Sequence, residues 1–202
     1  MKKTKLLPLP VPWSVSPSTS YLRLFANESE SDTPSQIRFV AQFCSDVIKK
    51  EYENQTKKIE SPQIFYSPYD TNIKLGPKGG TVQLIKVTLI QTIEARIAAA
   101  VSDSAAINYS DFDCSAMQFQ PNEPISNAGA WLKAFHQKWI EAGICPDPHA
   151  YEAQESKLVS QNALSRGFKH FIFVGHDAYI EVVAKAWTWE SEGTLRQSHN
   201  SK

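Results

Sequence analysis

The sequence predicts an α+β domain, an antiparallel sheet carrying two main amphipathic helices. Three observations lead there. The run KHFIFVGHDAYIEVVAKAWTW alternates like a pair of strands around a turn. Residues 34–57 and 128–142 repeat apolar side chains at helical spacing. The 202 residues are 42% hydrophobic and 21% charged, which suits a chain with a sizeable core.

The C-terminal hairpin, about 169–189, organises the rest. Phe171, Ile172, Phe173 and Val174 are the residue types that strands prefer. Gly175, His176 and Asp177 interrupt them, and Gly and Asp tolerate the backbone angles of a tight turn. Ile180, Val182, Ala184 and Ala186 then share one face, and Tyr179, Glu181, Val183, Lys185, Trp187 and Trp189 the other. Both faces are apolar, so the pair belongs inside a sheet.

The other elements follow in chain order. Residues 1–19 form an extended or disordered arm, rich in Pro and Ser after a basic start. Residues 20–190 make one domain, and 191–202 a polar, flexible tail. Within the domain, Thr33, Pro34 and Gln36 have the spacing of a helix cap. The repeat of Ile37, Val40, Ala41, Cys44, Val47, Ile48 and Tyr52 predicts a helix from there to about residue 57, with Cys44 as a buried thiol. Over 81–101 the parity of Ile85, Val87, Leu89, Ile93, Ala95, Ile97, Ala99 and Val101 favours a strand, although IEARIAAAV has helical composition. A strand of that length requires a bend or bulge. Trp131, Leu132, Phe135, Trp139 and Ile140 line the helix over 128–142, which Gly143 terminates.

Composition excludes some functions. Equal numbers of Lys plus Arg and Asp plus Glu, 21 each, disfavour electrostatic binding of nucleic acid. Cys44, Cys114 and Cys145 are widely spaced and odd in number, unlike a disulfide framework or zinc site. The start MKKTKLLPLPVPWSV has the charge of a secretory signal, but three prolines break its apolar stretch. No apolar run has the length of a membrane helix. The expectation is a soluble, cytoplasmic protein without metal or cofactor, binding neither nucleic acid nor membrane. Its partner would be a protein or small molecule, with homo-oligomerisation open.

Two functional readings remain. In the first, the chain is a non-enzymatic binding or protein-interaction module, with aromatics such as Trp131, Trp139, Trp187 and Trp189 as anchors. In the second, it is a small enzyme with acid/base chemistry at His176, Asp177 and Glu181, with His170 nearby. Glu181 sits mid-strand between apolar neighbours, so its carboxylate needs solvent or a partner. His170 and His176 share parity but stand roughly 20 Å apart along an extended chain, too far for one ion. Cys145 and His149 also permit a thiol nucleophile, with no orienting third group in view.

Overall fold

A computed structural model describes residues 4–15, 22–25, 34–44, 64–65, 73–76, 82–99, 112–113, 128–175 and 178–197. Its main feature is one sheet, almost wholly antiparallel, of eleven strands. They are β1 Thr4–Pro8, β2 Trp13–Val15, β3 Arg23–Phe25, β4 Gln36–Phe43, β5 Ile64–Phe65, β6 Ile73–Gly76, β7 Val82–Ala99, β8 Phe112–Asp113, β9 Ala150–Gln154, β10 Lys169–Val174 and β11 Ala178–Gln197. The main path runs β2-β4-β7-β11-β10-β9-β1-β8. The helices among the described residues are α1 Ala128–Ala142 and the five-residue α2 Gln161–Ser165.

The α+β architecture with two main helices is therefore corrected to a mainly β fold. The expected helix over about 34–57 begins instead as β4, paired antiparallel to β7 from Gln36 opposite Thr88 to Gln42 opposite Val82. Ile37, Phe39, Ala41 and Phe43 alternate, and all four enter the core. Ile37, Val40, Ala41 and Cys44 also fit a period of 3.6, so the short stretch satisfied both templates. A waiting strand partner decided between them, because tertiary pairing overrides weak helix propensity. Cys44 is buried, but it follows a strand rather than lying on a helical stripe. Thr33, Val47, Ile48 and Tyr52 lie outside the described residues. Helix α1 has the expected bounds, with Gly143 at φ +69 donating its N–H to the Trp139 carbonyl. It forms a satellite: Trp139 packs with Cys44 and Cys145, while the side chains of Trp131 and Leu132 lie outside the described set.

Most apolar mass lies on one face of the sheet. Phe171 and Phe173 of β10, Ile180, Val182 and Ala184 of β11, and Ile85, Val87 and Leu89 of β7 meet there. Trp13 joins them from β2, with its ring 5.0 Å from Phe39 and 5.9 Å from Trp189. Fully burying each such large side chain contributes on the order of 1.5–3 kcal/mol. Strand β1 also enters the sheet through β9, and Leu6 is fully buried. The opposite face holds Leu6, Tyr151, Ala153, Ile172 and Val174 in one group, and Val159, Ala163, Phe168 and Val183 under α2 in another. Ser160 caps α2 by accepting the Ala163 N–H at 3.2 Å. This second face carries Glu181.

Strands β7 and β11 form the spine, pairing from Ala178 opposite Ala99 to Thr194 opposite Gln83. The register slips between Val183 and Ala184, where Ile93 is the extra residue on β7, and again between Ser191 and Gly193. Such bulges bend strands that are otherwise too long to follow one twist. Gln91 accommodates the first bend at φ +52.

Candidate functional site

Glu181 lies in the middle of three strands. It stands opposite Arg96 of β7 on one side and Ile172 of β10 on the other. His170 is opposite Val183, one same-face position along, and so reaches Glu181 diagonally. Arg96 Nε donates to Glu181 Oε2 at 2.7 Å, while His170 Nε2 lies 3.3 Å from Oε1. The histidine contact falls outside directed hydrogen-bond geometry, so the Arg96 bond is the stronger of the two. On the far side of the ring, His170 Nδ1 lies 2.7 Å from Ser156 Oγ, which also accepts the Leu158 N–H at 3.1 Å. A serine hydroxyl donating to Nδ1 leaves the Nε2 hydrogen facing the carboxylate.

Glu181 and His170 are both buried, while the Arg96 side chain is half exposed. Burial drives the Glu181 carboxyl upward. The contacts of His170 and Arg96, with the Arg96 charge, outweigh it and hold the group below its ordinary value. The same carboxylate raises Arg96, through its hydrogen bond first. Glu181 is thus an ionised, internally matched group with a protein partner at each oxygen.

Of the four candidate residues, the fold brings His170 and Glu181 together; His176 and Asp177 lie outside the described residues. Arg96 and Ser156 complete the cluster and were not singled out from sequence. Parity on each strand was readable, but the register that sets Arg96 opposite Glu181 was not.

A second polar group surrounds Cys145 and His149. His149 Nδ1 lies 2.6 Å from Ser14 Oγ, and its backbone N–H donates to Asp147 Oδ1 at 3.3 Å. Tyr151 hydroxyl bonds the same carboxylate oxygen. Ser14 Oγ also lies 3.1 Å from the Asp147 carbonyl, which competes for the single hydroxyl hydrogen. Burial pushes the Cys145 thiol up to about 12, so it is protonated at neutral pH. That removes the thiolate which a cysteine nucleophile requires. Among the described residues, no three or more His, Cys, Asp or Glu side chains are placed to hold a metal ion. No helix among them is long and apolar enough to cross a membrane.

The third feature is an edge. Strand β4 covers β7 only as far as Thr88, and Ser35 accepts the Leu89 N–H just beyond. From residue 90 to 99, β7 pairs with β11 alone among the described residues. Ile90, Ile93 and Ile97 on this stretch are 42%, 56% and 50% exposed. Compared with known proteins, the chain matches no family, no characterised protein and no solved structure.

Proposed function

We propose that the chain is a non-enzymatic protein-interaction module that binds through the outer half of β7. The carrying observation is three exposed isoleucines within eight residues of a strand whose outer side has no ladder partner among the described residues. Unpaired backbone donors and acceptors add a strand readily, and flanking apolar side chains give that addition affinity. Clustered exposed apolar residues mark contact surfaces where isolated ones do not. The lowered carboxyl of Glu181 supports the same reading, because a buried carboxylate that already accepts from Arg96 is a weak base for a substrate proton.

The test is selection of displayed random peptides on the immobilised full chain and on its Ile93→Lys variant. Extended apolar peptides enriched on the wild type and lost on the variant are expected. Enrichment indifferent to Ile93, or none, would overturn the assignment.

A further inference from the structure

We infer that the outer edge of β7 pairs antiparallel with the same edge of a second copy of this chain, about a two-fold axis at Ala95. The inference rests on the binding reading above and names its partner.

Register selects the pairing. A two-fold axis normal to a sheet sets residues of the same parity opposite each other, so it must pass midway between a residue and its own copy. Centred on Ala95, it places Glu94 opposite Arg96 of the other copy, twice, within the regular ladder from Glu94 to Ala99. Centred on Glu94 or Arg96, it sets like charges face to face. Centred on Ile93 or Ile97, it leaves Glu94 without an arginine opposite. Among these five positions, Ala95 alone sets the two unlike charges opposite each other. Opposed unlike charges and opposed apolar residues each favour pairing, and like charges disfavour it.

The surroundings fit this geometry. Ala95 faces Val182 and Ile97 faces Ile180 across β11, on the face that carries the main core. A second copy would continue that apolar layer over Ile97, which is otherwise half exposed. Glu94 and Arg96 lie on the Glu181 face, where Arg96 already donates Nε to Glu181. Glu94 of the second copy would add a second carboxylate to the half-exposed guanidinium, whose forked donors can serve two acceptors. The small residue at the axis lets the backbones approach without a side-chain clash.

Sedimentation of the full chain across a concentration series, with amide exchange in parallel, tests this. The expected species has twice the 22.7 kDa chain mass, and amides within 91–99 gain protection as it forms. Glu94→Lys, which sets lysine against arginine twice, should weaken association about tenfold or more. Ile97→Lys, which puts a charge into the apolar layer beside the axis, should do the same, with both variants keeping the wild-type circular dichroism and melting temperature. A wild-type monomer at every concentration, or a dimer untouched by either variant, would overturn the inference. If that monomer still selects peptides through Ile93, the interaction-module reading survives without the self-pairing. If the 91–99 amides that point away from β11 are protected as a monomer, this chain covers its own edge and both readings fall.

Discussion

The two halves of β7 carry similar apolar content yet meet opposite fates. In residues 82–89, Leu84, Ile85, Val87 and Leu89 are no more than 1% exposed, between β4 and β11 and against the core. In residues 90–99, Ile90, Ile93 and Ile97 are about half exposed. Strand β11 accompanies both halves, so it does not explain the difference. What changes is the other neighbour: β4 stops opposite Thr88, and the strand then bends at Gln91 and bulges at Ile93. Apolar alternation reports that a strand has a face to bury. Whether anything covers that face depends on the neighbouring element.

The sharpest test compares truncations in the two halves. Ile85→Ala should lower unfolding stability by about 2–5 kcal/mol, because it opens a cavity in a layer closed on all sides. Ile97→Ala, measured in the same denaturant titration at a concentration where the chain is monomeric, supplies the control. Equal losses at both positions would erase the distinction between the halves.

The second test concerns the charge that joins them to the hairpin. Glu181→Gln keeps the shape and removes the carboxylate, leaving His170 buried beside an amide. A loss of about 2 kcal/mol is expected, less than for a fully enclosed ion pair because the half-exposed Arg96 regains water. The sign with pH follows from the lowered carboxyl of Glu181. Its contribution is complete above the unfolded value of about 4.3 and disappears as pH falls through the lower folded value. Wild-type stability should therefore drop more steeply below about pH 4.3 than that of the glutamine variant. Parallel acid titrations would remove Glu181 from this role.

Smaller still is the effect of thiol chemistry on the native chain. Cys44 and Cys145 are buried with Trp139, and the Cys145 thiol is pushed up to about 12. Iodoacetamide at neutral pH should modify both only at the rate of opening, with mass spectrometry locating the adducts. Fast labelling of Cys145 in folded protein would restore the nucleophile reading. The smallest effect belongs to Ile97→Ala, whose unfolding free energy should stay within about 0.5 kcal/mol of wild type.

Much of the hairpin was legible from residues alone. Phe171 to Val174 and Tyr179 to Ala184 alternate without a competing helical pattern, and they pair across from each other. The long strand over 82–99 was legible for the same reason, with a break in parity at Gln91 where the backbone turns to φ +52. The candidate site was legible in half. A glutamate between Tyr179 and Val183 requires a partner on any account of desolvation, and His170 was already in view.

The sequence by itself determined the alternation from Tyr179 to Ala184, where α1 ends at Gly143, and that Glu181 needed a partner. It did not determine that Trp187 and Trp189 turn to the main-core face rather than the Glu181 face. Only the tertiary structure decided that 36–43 is a strand, that Arg96 and Ser156 join His170 and Glu181, and that the outer half of β7 has β11 as its one ladder partner among the described residues. The reason is the same in each case. Periodicity is a property of one segment, set by the geometry of its own backbone. Strand pairing and register belong to two segments, and their energies come from contacts between residues such as Arg96 and Glu181 that stand 85 apart in the chain.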